Sequence, residues 1–202
     1  MIRYHYINNQ ILKIYSKLPS IQFPLNIKDV IELIPNCQYL SYQQFAKINN
    51  CSIDDVIRLC ESKSGCTHYD ILNDRYLILC NQSTDNNNNY GRQRWTCCHE
   101  IGHVVCKHHV ISAYEKLSEN SLLKRTNPEY EQEADYFAAF LLAPLPLFKE
   151  LNIQSPIDVQ NTFGLSVEAS MYRYKEYLRW KQGHRKTSWE NDMIRLYHQK
   201  GI

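Results

Sequence analysis

Apolar positions recur at helical spacing near the start of the chain. Ile7, Ile11, Leu12, Ile14, Tyr15 and Leu18 fall on one face and predict an amphipathic helix ended near Pro19. Asn26 to Ile34 reads as a second, shorter helix stopped by Pro35, and Gln38 to Phe45 follows. Ser52 is placed to cap a helix to Ser62, with Asp55 three residues on in capping-box position. From Cys66 to Cys80 the period changes: Thr67–Leu72 and Arg75–Cys80 flank Asn73-Asp74 and predict a hairpin-like pair of strands. Trp95, Ile101, Val104 and Val105 then form the apolar stripe of a half-buried helix, and a further helix is expected from Glu131 to Leu142. After Pro144, Ser155-Pro156-Ile157 opens another helix, and Phe163 to Tyr174 reads helix, tight turn, helix, with Ser166 as N-cap. Two polar stretches, Gln82–Asn89 and Ser118–Pro128, are expected loops; the first holds four consecutive asparagines, the second a protease-accessible Lys124-Arg125.

Helices around one short strand pair define an α+β class. A chain of 202 residues is long enough for one sizeable core with a small appended piece, here divided as 1–150 and 151–202. The net charge of +2 is uninformative as a whole but uneven. Residues 173–202 carry eight Lys/Arg (Arg173, Lys175, Arg179, Lys181, Arg185, Lys186, Arg195, Lys200) against Glu176, Glu190 and Asp192. Such a segment is either a solvated helix face or a surface for nucleic acid or an acidic partner. No apolar run reaches the roughly 18 residues of a membrane span, and Met1-Ile2-Arg3-Tyr4-His5-Tyr6 has no apolar signal core, so a cytoplasmic protein is expected. The eight cysteines include no Cys-x-x-Cys pair, which argues against a structural zinc; Cys97 and Cys98 read as buried small hydrophobes.

Chemistry enters with His99-Glu100-Ile101-Gly102-His103. Residues four apart share a helix face, so both imidazoles can aim at one metal ion while Glu100 stands beside it as general base. A catalytic zinc takes three protein ligands and keeps a position for water, so a third ligand must come from elsewhere. Glu131 is the candidate, and Asp135, one turn on, can accept the other ring N–H of a ligating histidine. Glu133 is the alternative third ligand, but at about 100° per residue it lies roughly 200° around the helix from Glu131, so only one of them can face the metal; otherwise it is a solvated or capping acid. His109 is a further alternative, at the spacing of a third histidine in His-Glu-x-x-His-x-x-Gly-x-x-His. Cys106 stands where that pattern has glycine, so a continuing helix is expected to carry His109 away from the metal. The other reading of His108 and His109 is a cationic helix end. Tyr136, Tyr90 and His108 are possible oxyanion donors.

The downstream run Glu131-Gln132-Glu133-Ala134-Asp135-Tyr136-Phe137-Ala138-Ala139-Phe140-Leu141-Leu142-Ala143-Pro144, taken with His-Glu-x-Gly-His, resembles the ImmA/IrrE family of zinc metallopeptidases over about residues 25–180. Cys97-Cys98 and Ala143 depart from its usual pattern without touching the chemistry. The resemblance implies a small zincin-like metallopeptidase domain, a short antiparallel sheet packed on the metal-binding helices, and a helix-turn-helix-like C-terminal segment. In similar peptidases an edge strand over the site pairs with extended substrate; which strand of the predicted pair is the edge is not readable. The resemblance further implies a zinc-dependent, site-specific endopeptidase whose protein substrate is a helix-turn-helix repressor, cleaved to derepress mobile-element or stress genes.

Two other classes remain beside the enzyme: a metalloprotein that displaces a repressor without cutting it, and a DNA-binding regulator acting through 155–202. An intact Glu100 favours the enzyme, since a pure binder has no need of a base there. His and carboxylate ligands suit zinc and also manganese or iron.

Overall fold

The computed structural model describes residues 1–83, 89–112, 116–118, 127–182 and 186–201. Most of the Gln82–Asn89 loop, Lys124-Arg125 and Arg185 lie outside those residues. Within them the order is α1 (Tyr4–Lys17), α2 (Ile27–Glu32), β1 (Cys37–Ser41), α3 (Tyr42–Ile48), α4 (Ile53–Cys60), β2 (Gly65–Asp70) and β3 (Arg75–Cys80), then α5 (Tyr90–Val105), α6 (His108–Ser112), β4 (Lys116–Ser118), α7 (Pro128–Leu142), α8 (Pro156–Phe163), α9 (Val167–Lys181) and α10 (Ser188–Lys200).

Gln38–Phe45 is a strand that passes directly into a helix. Ser41 ends β1 and caps α3, its hydroxyl accepting from Gln44 N while the Gln44 side chain accepts from Ser41 N. The hairpin forms with Gly65 opposite Cys80 and Asp70 opposite Arg75. Neither of its strands is an edge, because the sheet runs β1-β3-β2-β4, with β1 parallel to β3 and β4 antiparallel to β2. Among the described residues the edges are β1 and β4, two strands too short or too polar for periodicity to reveal.

Alternation along the sheet divides the core. Ile78 and Cys80 join the main apolar cluster with Cys97, Ile101 and Phe137, whereas Cys66 and Leu79 join a smaller one with Tyr42, Ala46, Val56 and Cys60. One face of the sheet therefore turns to the cluster that holds α5, and the other to the cluster of α3 and α4. Ile7 and Ile11 of α1 are fully buried in the main cluster, and Tyr15 donates its hydroxyl to Leu141 O at 2.6 Å, fastening α1 to α7. The same cluster receives Val159, Phe163, Tyr177 and Met193 from α8, α9 and α10, so the C-terminal helices share its apolar interior.

The helix–turn–helix shape is present at α8–α9. Gly164 ends α8 in the left-handed region (φ 64°), and Ser166 caps α9, accepting from Ala169 N at 3.2 Å. The basic tail is less uniform than its sequence suggests. Arg173 is buried, lies over the Phe140 ring at 4.0 Å and donates to Ala143 O, and Lys200 donates to the carbonyls of Ser16 and Leu18. Among the described residues Lys175, Arg179, Lys181, Lys186 and Arg195 stay exposed.

Candidate metal centre

Two glycines let the site assemble. A Cβ on Gly102 would stand 3.0 Å from Ala134 Cα, so α5 and α7 approach closely at this point, one residue before His103 and one residue before Asp135. A Cβ on Gly65 would meet Thr96 Cγ2 at 2.7 Å and Glu100 Cγ at 3.4 Å, so β2 is pressed against the Glu100 face of α5. Asn89 caps α5 by accepting from Arg92 N, and Asn127 with Pro128 starts α7.

With both helices in place, His99 Nε2 and His103 Nε2 face each other 3.1 Å apart. Glu131 reaches them from α7, with Oε2 3.3 Å from His99 Nε2 and Oε1 3.6 Å from His103 Nε2. The three ligand-type atoms lie within 4.8 Å of one another. His99 turns its other nitrogen to Asp135, Nδ1 to Oδ1, at 2.9 Å. A carboxylate only accepts, so that contact puts the proton of neutral His99 on Nδ1 and leaves a lone pair on Nε2. Burial, followed by the neighbouring histidines, holds His103 well below the ordinary imidazole range and keeps it neutral. Glu131 Oε1 is buried and has no hydrogen-bond partner among the described residues. Two imidazole lone pairs and an unsatisfied carboxylate oxygen converging on one point are a donor set that a divalent cation satisfies.

Glu100 is fully buried, and Thr67 of β2 donates its hydroxyl to Glu100 Oε2 at 2.7 Å. Thr67 was not among the residues read from sequence. Its only signal is a polar side chain in the buried half of a strand, two residues after the glycine that admits α5.

His108 and His109 are not a cationic helix end: both are buried, and burial pulls each pKa down to about 4, so they are neutral. The chain turns after α5 without a glycine. Lys107 itself adopts the left-handed conformation (φ 57°) and α6 begins at His108, so the expected continuing helix does not form. The turn carries His109 Nε2 to Thr67 O at 3.2 Å, and among the described residues His109 stands outside the His99–His103–Glu131 cluster. His108 has both ring nitrogens engaged, Nδ1 with His103 Nδ1 at 2.8 Å and Nε2 with Glu133 Oε2 at 2.9 Å. Tyr136 donates its hydroxyl to Asn8 Oδ1, away from the cluster, and exposed Tyr90 accepts from Arg94 Nη1.

Glu133 is neither solvated nor a cap. It is 2% exposed and faces away from Glu131 into an ion pair with Arg3, which donates through its backbone N at 2.8 Å and through Nε at 3.0 Å to both oxygens. Burial pushes its carboxyl up, but the hydrogen bonds from Arg3 and His108 outweigh that and hold its pKa at about 2. Cys106, His108 and Glu133 also bring ligand-type atoms together. Arg3 already supplies the positive charge there, and burial raises the Cys106 thiol to about 12, leaving it a protonated, poor ligand. All eight cysteines are free, and Cys97 and Cys98 are buried.

A mixed helix-and-sheet domain with His-Glu-x-x-His on one helix and a carboxylate from a later one has the layout of a zincin-type metallopeptidase. The chain belongs to the peptidase family M78, the IrrE N-terminal-like domain, whose profile matches residues 59–175. No curated protein matches the chain. It is thus a metallopeptidase, a hydrolase acting on a protein substrate with the help of a metal ion. Among the described residues no helix is long and apolar enough to cross a membrane.

Proposed function

We propose that His99, His103 and Glu131 hold a zinc ion, that Glu100 is the catalytic base, and that the protein is a cytoplasmic, site-specific endopeptidase. Its substrate is a helix-turn-helix repressor, whose cleavage derepresses mobile-element or stress genes. The observation that carries the catalytic reading is the convergence of two Nε2 lone pairs with Glu131 Oε1, which accepts no hydrogen bond among the described residues. The substrate rests on the family alone. Residues 1–150 form the peptidase proper, with 151–202 as a helical segment packed on it.

When bound, a zinc ion lowers the pKa of a coordinated water toward neutrality and polarises a carbonyl. Glu100 takes the proton of the attacking water and passes it to the leaving amide nitrogen, acting first as base and then as acid. The Thr67 hydroxyl fixes one carboxylate oxygen of Glu100 for that exchange. Asp135 holds His99 in the tautomer that directs its lone pair inward.

The test incubates zinc-loaded wild type and Glu100→Gln with the repressor encoded nearest the gene and follows intact mass. Wild type is expected to cut, with the variant slower by about 10²–10⁴ while retaining zinc. If neither cuts and both release the repressor from its operator, the protein acts by displacement and the peptidase reading fails for that substrate.

A further inference from the structure

Behind His103 runs a row of buried polar groups that the proposed mechanism leaves unused. His103 keeps Nε2 among the proposed ligands, so its proton sits on Nδ1 and is donated to His108 Nδ1, 2.8 Å away. His108, accepting at Nδ1, must carry its own proton on Nε2, which it donates to Glu133 Oε2 at 2.9 Å. Glu133, an acceptor only, receives Arg3 on both oxygens, and Arg3 Nη2 also donates to Cys106 O at 3.0 Å. Each proton in this row has one consistent place. His103, His108 and Glu133 are all buried, and Tyr130 stacks on the His108 ring with centroids 4.5 Å apart and planes 8° apart, fixing its orientation.

We propose that Glu133, acting through His108, is a positioning residue for His103, and that Arg3 sets Glu133 in place. The row does for His103 what Asp135 does for His99, but through one more imidazole. A carboxylate behind a ligating histidine fixes its tautomer and makes its free nitrogen a stronger donor. The guanidinium keeps that carboxylate ionised without leaving an uncompensated charge in the interior. Arg3 precedes α1 and lies outside the segment matched by the family, so the metal centre extends to the first residues of the chain. The proposal rests on the ligand assignment above, and its test is arranged to separate the two.

Zinc dissociation constants, from chelator competition on folded protein, and the visible spectrum of the cobalt-substituted form are measured for wild type, Glu131→Gln, Glu133→Gln and Arg3→Ala. Glu133→Gln is expected to bind zinc on the order of 10-fold or more weakly and to shift the cobalt bands. Arg3→Ala should move both in the same direction by less, and Glu131→Gln should lose most of the binding. A merely structural role for Glu133 would lower apo-protein stability but leave the affinity and cobalt bands of the folded protein unchanged. If Glu133→Gln and Arg3→Ala both match wild type while Glu131→Gln does not, the row is overturned and the ligands stand. If Glu131→Gln also matches wild type, the ligand assignment fails and the row falls with it. Should Glu133→Gln not fold, Arg3→Ala decides, because it alters a side chain already 34% exposed.

Discussion

His99 and His103 stand one helical turn apart and face the same point, yet they are steadied by opposite kinds of partner. Behind His99 is a single carboxylate, Asp135, whose side chain is 56% exposed. Behind His103 is the row of buried His108 and Glu133, closed by the part-exposed Arg3. The exposed support has water to fall back on when it is lost, whereas loss of the buried carboxylate removes a hydrogen-bond acceptor shared by His108 and Arg3 in the interior. The equal roles proposed for them at the metal therefore coexist with unequal surroundings in the fold.

The sharpest way to break this comparison is to remove each carboxylate from the metal-free protein and measure urea unfolding. Breaking a fully buried ion pair costs about 3–5 kcal/mol, and the part-exposed Arg3 reduces this to about 2–3 kcal/mol for Glu133→Ala. Asp135→Ala should cost less than about 1 kcal/mol, as for exposed pairs. Equal losses would erase the distinction between the two supports. A second test works on the helix spacing that both supports share: Gly102→Ala puts a Cβ 3.0 Å from the Ala134 backbone. Overpacking of this kind should cost about 1–2 kcal/mol and weaken zinc binding, since α7 carries Glu131, Glu133 and Asp135 alike. Unchanged affinity would show that α7 can shift without disturbing the cluster.

The smallest expected effect is a pH signature of the buried histidines beside the row. His109 falls from the ordinary 6.5 to about 4 in the folded protein, through burial. As pH drops, the unfolded chain takes up its proton first, so this contribution is complete above about 6.5 and is lost progressively toward 4. Between pH 7 and pH 6 the metal-free protein should lose on the order of half a kcal/mol from this residue. Replacing His109 by Gln should flatten that slope, and a slope identical to wild type would assign the titration elsewhere.

The sequence pattern made the hairpin, the caps at Ser52 and Ser166 and the face shared by Glu131 and Asp135 legible, because each depends on residues within one or two turns. The roles of Arg3 and Thr67 were not legible, since their partners Glu133 and Glu100 lie far along the chain and no local period records them. The turn after α5 departs from the expected continuing helix for a different reason. Glycine is the usual residue for a left-handed turn, but here packing of His108 and His109 in the interior holds Lys107 in that conformation. Glu133 shows the same limit: helical geometry put it opposite Glu131, and only the fold reveals that this opposite side is also interior.

The placement of Arg3 also bears on how the protein can be subdivided. A fragment trimmed to residues 59–175, the limits of the family match, would keep His99, Glu100, His103 and Glu131 yet lose the guanidinium that neutralises Glu133. It would also lose Ile7, Ile11 and Tyr15 from one end and Trp189 and Met193 from the other, opening the apolar interior on two sides. A piece containing every residue of the proposed catalytic set would then be the wrong reagent for studying it: insoluble or loosely packed, and a poor binder of metal for reasons unrelated to the proposed ligands.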